Sequence, residues 1–146
     1  MGYTVQIGEI FEELNQAKSR KDKKDILEKN KDIPVLRYLL RGIFDPKVQY
    51  IIDDTPDYTP SDLPYGEAEN TLFLEIPKCS IFVKGNPKAN NIPVSKAKQI
   101  LIQILETLHA TEASLYMQML KKKTKIKGLT SKLVLEVFPN MYKEGG

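Results

Sequence analysis

Residues 121–132 carry Lys121, Lys122, Lys123, Lys125, Lys127 and Lys132, with Gly128 and the hydroxyl pair Thr130 and Ser131 among them. These residue types match what a phosphate needs. Ammonium groups supply charge, and hydroxyls and the free backbone N–H groups at a helix start supply hydrogen bonds. A glycine lets the backbone approach closely. The same residues also read as a solvated lysine-rich loop. A second cluster holds Lys18, Arg20, Lys21, Lys23 and Lys24, diluted by Asp22 and Asp25, and ordinary i,i+3 and i,i+4 pairing on a helix surface accounts for it equally well. Arg20, Lys21 and Lys24 complete the candidate phosphate-contacting set. Lys84 and Lys88, flanking Gly85, form a third and weaker patch. No helix rich in Arg, Asn and Gln is evident, so base-specific readout is not expected. Several separated phosphate contacts imply salt-sensitive, sequence-independent binding, with a dissociation constant on the order of micromolar or weaker.

Other chemistries find little support. His109 is the single histidine, and no nucleophile stands near it in sequence, so it reads as a helix-end or interhelical residue. Cys79 is alone, which excludes an intramolecular disulfide and a cysteine-cluster metal site and fits a reducing, cytoplasmic setting. Asp53 and Asp54 are adjacent but sit in an acidic stretch with no partner histidine. No catalytic residue, metal ligand set or cofactor is therefore expected. Residues 1–6 lack a basic stretch followed by an apolar core, so no signal peptide is expected. The longest apolar run falls far short of the roughly 20 residues of a membrane span, so no membrane association is expected.

The net charge is only +3, but its distribution along the 146 residues is uneven. Residues 1–50 hold 10 basic and 8 acidic side chains, whereas residues 51–76 hold 7 acidic and no basic ones. Residues 77–132 then hold 11 basic and 2 acidic side chains. An acidic segment thus separates a mixed first half from a basic second half. Tyr58, Tyr65, Leu72 and Phe73 are interspersed among its acids, a pattern suited either to docking on a basic protein partner or to a solvated loop.

The elements that must position these groups read as helices. Apolar spacing predicts a first helix over 4–17 with Val5, Ile10, Phe11 and Leu14 inward. Ser19 caps a second, to about Lys29, with Ile26 and Leu27 inward. Asp32, Ile33 and Pro34 open a third that buries Val35, Leu36, Leu39, Leu40 and Ile43. Asp45-Pro46 reads as another cap, leading into an apolar stretch, 48–52, open to helix or extended chain. Residues 53–70, with Pro56, Pro60, Pro64 and Gly66, form a long loop. Residues 71–84 are ambiguous, and 85–93 are a turn-rich connector. The clearest helix spans 95–108, with Ala97, Ile100, Leu101, Ile104, Leu105 and Leu108 on one face. Thr111 is expected to cap the next, which carries Leu115, Tyr116, Met119 and Leu120. Thr130 is expected to cap a last helix with Leu133, Val134, Val137 and Phe138 inward. The expected fold is all-α: one compact helical domain of about six to seven helices, with a helical part over 4–52, an acidic connector over 53–70 and a second helical part over 71–142.

Two stretches carry a family resemblance. Residues 10–32, IFEELNQAKSRKDKKDILEKNKD, followed by Leu36–Leu40 and Val48-Gln49-Tyr50, resemble the opening of phage-type ATP-dependent DNA ligases. Residues 126–139, IKGLTSKLVLEVFP, are similar to the end of the ligase DNA-binding domain, where a glycine follows a polar stretch and hydroxyl residues cap a helix closed by an aromatic and proline. The two lie in the corresponding order and spacing, and with the helices between them cover roughly residues 7–142. Residues 53–93 depart from the pattern. The resemblance implies a free-standing relative of the ligase DNA-binding domain that grips double-stranded DNA through its backbone on the minor-groove side, as an accessory in phage DNA metabolism in the host cytoplasm. Self-adenylation is not expected, because the chain has no Asp-Gly pair and hence no Lys-x-Asp-Gly motif. The alternative is a protein-interaction module that keeps this fold without DNA binding and docks through residues 51–76.

Overall fold

Eight α-helices and one 3-10 segment form where local capping and apolar spacing agree, in the computed structural model, which describes residues 5–52, 54–65 and 67–142. Helix α1 (Ile7–Gln16) buries Ile7, Ile10, Phe11 and Leu14. Val5 precedes it and is 46% exposed, so it lies off the expected stripe, and Thr4 lies outside the described residues. Ser19 caps α2 (Arg20–Lys29), its hydroxyl accepting from the Asp22 N–H at 3.0 Å. Pro34 opens α3 (Pro34–Phe44), which buries all five residues its spacing marks and also Gly42.

Asp45 does not open a new helix. It ends α3, and its carboxylate folds back to accept from the Lys47 N–H (3.0 Å) and Arg41 Nε (3.0 Å). The chain beyond is extended: Tyr50 bridges Val83 antiparallel, with the Ile51 N–H donating to the Phe82 carbonyl at 2.7 Å. The ambiguous stretch resolves into a short helix α4 (Leu72–Glu75) and a 3-10 segment (Ile76–Phe82), in which Pro77 has no N–H to give a longer helix. The turn-rich connector contains one further short helix, α5 (Pro87–Asn90). The clearest helix forms as α6 (Val94–Thr107). Among the described residues the only extended pairings are two isolated bridges, and the fold is all-α.

Helix α7 (Ala110–Lys121) is the centre of the molecule. It packs against α1, α3 and α6, and all but its two ends are buried or half-buried. Its cap is His109 rather than Thr111: the imidazole Nδ1 accepts from the Thr111 N–H at 3.1 Å. Where α3 crosses α7 the approach favours glycine, since a Cβ at Gly42 would lie 2.5 Å from Tyr50 Oη and 2.8 Å from Met119 Cγ and would have to displace these side chains. Glu112 is fully buried in this core, one oxygen accepting from the Gly8 N–H (3.0 Å) and the other from the Leu72 N–H (3.1 Å). A single carboxylate thereby ties α1 and the start of α4 to α7. Thr130 caps α8 (Ser131–Val137), and α8 packs on α2.

The acidic connector is strapped to the helices rather than free. Asp54 pairs with Lys98 on α6 (3.2 Å), the Ser61 N–H donates to the Leu108 carbonyl (3.0 Å), and the Asn70 N–H to that of Thr107 (3.1 Å). Tyr65 stacks on His109 with ring centroids 3.7 Å apart. Asp53 lies outside the described residues.

Candidate functional site

The lysine-rich segment begins where α7 stops. Lys122 takes the left-handed conformation (φ 56°), and its N–H and that of Lys123 close on the Met119 and Gln118 carbonyls at 3.0 Å each. This is the Schellman arrangement, with lysine where glycine is usual. The Lys122 ammonium explains the exception. It donates to the carbonyls of Gly42 (2.9 Å) and Asp45 (2.8 Å), which end α3, and lies 5.8 Å from the Tyr50 ring centroid. Burial holds its pKa below the ordinary lysine value, against the opposing pull of Asp45. Lys122 was expected among the phosphate contacts, but its charge is committed to the fold.

The following loop alternates anchors and cations. Ile126 and Leu129 are buried, while Lys123, Lys125 and Lys127 are exposed between and before them. The Gln118 amide oxygen accepts from the Lys125 N–H (3.0 Å) and pins the loop to α7. Gly128 turns the chain with φ 86°. Lys132 is exposed on α8. Among the described residues, Lys123, Lys125, Lys127 and Lys132 have no ion-pair partner. The hydroxyls expected to join them have internal roles: Thr130 Oγ1 accepts from the Leu133 N–H (3.2 Å), and Ser131 shares a hydrogen bond with Tyr142 (2.7 Å). Lys121 is exposed close to Asp54, whose carboxyl is held below its usual pKa by the hydrogen bond from Lys98, with Lys121 adding to the effect.

The second cluster meets the first through α2 and α8. Lys23 is buried, its ammonium bonded to the Ala17 carbonyl and its stem lying under Gly128. Arg20 and Lys24 both pair with Glu136 on α8, and Lys21 pairs with Asp25 (3.2 Å). Exposed ion pairs of this kind exchange readily for a phosphate, since each contributes at most about 1 kcal/mol. Lys18, Lys84 and Lys88 are exposed, the latter two across the turn at Gly85.

On the acidic side, Leu72 is fully buried and Tyr58, Tyr65 and Phe73 are half-buried, so most of the apolar groups among the acids face the protein itself. Asp57, Asp62, Leu63, Glu67 and Glu69 face outward.

One group of residues carried no signal in the spacing of motifs. On the outer side of α3, Arg37, Tyr38 and Arg41 border an open groove of about 530 Å³, closed on the far side by residues 137–141. The sign was available in principle, because positions 37, 38 and 41 are the polar and aromatic complement of α3's buried face.

The fold and this surface define a small all-helical domain with a preformed lysine loop and no described helix long and apolar enough to cross a membrane. Over residues 10–126 the chain matches a family described as a family of unknown function (DUF6433), and it belongs to that family. No curated protein matches the chain.

Proposed function

We propose that the protein is a non-catalytic, largely sequence-independent module for duplex DNA, gripping the phosphate backbone through the 121–132 loop. The observation that carries this reading is the row of exposed cations Lys123, Lys125, Lys127 and Lys132 without ion-pair partners, on a backbone pinned by Gln118, Ile126 and Leu129. Fixing the loop in advance lowers the ordering cost of binding. Unpaired ammonium groups that neutralise phosphates release the cations condensed on the DNA, and that release supplies sequence-independent free energy of association. Arg20, Lys21 and Lys24 lie on α2, which packs along α8, but Arg20 and Lys24 pair with Glu136 near the far end of α8 and Lys21 with Asp25, so on this reading they are secondary contacts. The likeness of residues 10–32 and 126–139 to phage-type ligase DNA-binding domains supports the same reading, with a role as an accessory in phage DNA metabolism.

Fluorescence anisotropy with labelled intact and nicked duplexes tests it. Binding is expected with a dissociation constant on the order of micromolar at low salt. The triple variant Lys125→Ala, Lys127→Ala, Lys132→Ala should flatten the slope of log K against log salt by about 2–3. Absence of binding by the unaltered protein at low salt would overturn the reading.

The alternative reading, a protein-interaction module, draws on the outward-facing Asp57, Asp62, Leu63, Glu67 and Glu69. A partner captured through these residues by a chain that has no DNA affinity would select it.

A further inference from the structure

The groove beside α3 combines features that no core requirement explains. Three cations, Lys31, Arg37 and Arg41, line it with one acid, Asp32; Lys31 pairs with Glu28 (3.6 Å). Arg37 is exposed and has no ion-pair partner among the described residues. Arg41 is oriented from behind: its Nε donates to the buried carboxylate of Asp45 at 3.0 Å, which leaves its two terminal nitrogens for another acceptor. Beside these two arginines, which stand one turn apart on α3, is Tyr38, 57% exposed. Tyr38 and Arg41 also border a second, adjoining and more apolar groove of about 390 Å³, lined by Val48, Tyr50, Pro77 and Cys79. Each volume falls within the roughly 300–1,000 Å³ typical of small-ligand sites. Tyr38 and Arg41 thus stand where a cationic trough meets a more apolar one.

We propose that this pair of grooves binds a nucleoside phosphate unit, with the phosphate held by Arg37 and Arg41 and the base stacked on Tyr38. Guanidinium forks suit phosphate oxygens, and an exposed ring accepts any base by its π-face. The unit has two possible sources, a free mononucleotide or one nucleotide of a single strand, and both present the same chemistry. The site does not rest on the lysine loop, which lies at the opposite end of α8 from residues 137–141.

The test is a titration of the isotope-labelled full chain with AMP, inorganic phosphate and adenosine, followed by amide chemical shifts, and anisotropy with a short labelled oligothymidylate. AMP should shift amides of α3 and of residues 137–141, and should bind at least several-fold more tightly than phosphate or adenosine. Tyr38→Ala and Arg37→Ala should each weaken AMP by about tenfold. Tyr38→Phe should retain binding, because stacking needs the ring and not the hydroxyl. Both side chains are exposed, so the variants should keep the unaltered spectrum elsewhere. An oligothymidylate that binds more tightly than AMP, with the same sensitivity to these two substitutions, identifies a strand as the source; preference for AMP identifies the free nucleotide. The proposal is overturned if neither probe shifts the groove residues, if phosphate alone binds as tightly as AMP, or if Tyr38→Ala changes nothing.

Discussion

At the scale of single residues, two charged side chains stabilise the junction of α3 and α7. The Lys122 ammonium caps the α3 carbonyls of Gly42 and Asp45 from a left-handed backbone position. Lys122→Ala should cost about 2–3 kcal/mol in urea unfolding, since the charge-assisted bonds are lost and the backbone strain remains. Lys122→Gly should cost less, because glycine relieves the strain. Asp45 gives this junction a dependence on pH in the acid range. Burial alone would raise its carboxyl pKa, but the Lys47 N–H, Arg41 and Lys122 outweigh that effect and hold it below its usual value. Its contribution is therefore complete above the ordinary carboxylate pKa of about 3.9 and is lost as pH falls through the lowered folded value. Melting curves of Asp45→Asn and the unaltered chain should differ at pH 7 and draw together only as pH falls from about 4 through the lowered folded value. Cys79 is quiet by comparison, since burial pushes its thiol up to about 11.

At the scale of elements, the caps separate what spacing reveals from what only geometry reveals. Ser19, Pro34 and Thr130 were legible because each is a residue type with one common use before an apolar run. His109 was not, because an imidazole acceptor is an uncommon cap and Thr111 offers the ordinary hydroxyl two residues on. His109→Ala should lower the melting temperature by several degrees, through the lost cap (about 1 kcal/mol) and the lost stack on Tyr65. Asp45-Pro46 misled for the converse reason, since Asp before proline suits a turn that ends a helix as well as one that starts it. Residues 71–84 were opaque because Pro77 breaks the helical hydrogen bonding while the apolar residues around it still have to be buried. Of the candidate contacts, the exposed lysines of the loop could be named from sequence. That Lys122 belongs to the fold could not, because its partners on α3 lie 77 and 80 positions away. The α3 groove escaped notice because Arg37 and Tyr38 belong to no recurring motif, and their neighbours 137–141 come from the far end of the chain. Gly42→Ala should disrupt the α3–α7 crossing and cost about 1–3 kcal/mol, readable by denaturant unfolding.

At the scale of the whole molecule, the charge asymmetry of the sequence becomes an arrangement in space. The acidic connector runs along α6, and at Asp54 it reaches Lys98 and the neighbourhood of Lys121. Its field therefore opposes that of the basic loop. On the duplex-binding reading, Asp54→Asn should tighten association by about twofold at low salt, with the difference vanishing near 0.5 M salt, as anisotropy would show. The buried Glu112 bears on the order of assembly. Its two backbone donors, at Gly8 and Leu72, lie 104 and 40 positions before it. Helices α1 and α3 are thus made early but have no central surface to close upon until α7 leaves the ribosome. At about 5–20 residues per second, that leaves their apolar faces waiting on the order of ten seconds after α3 is complete. The N-terminal third of this chain is accordingly the portion that a nascent-chain chaperone would be expected to hold, and release would follow synthesis of α7.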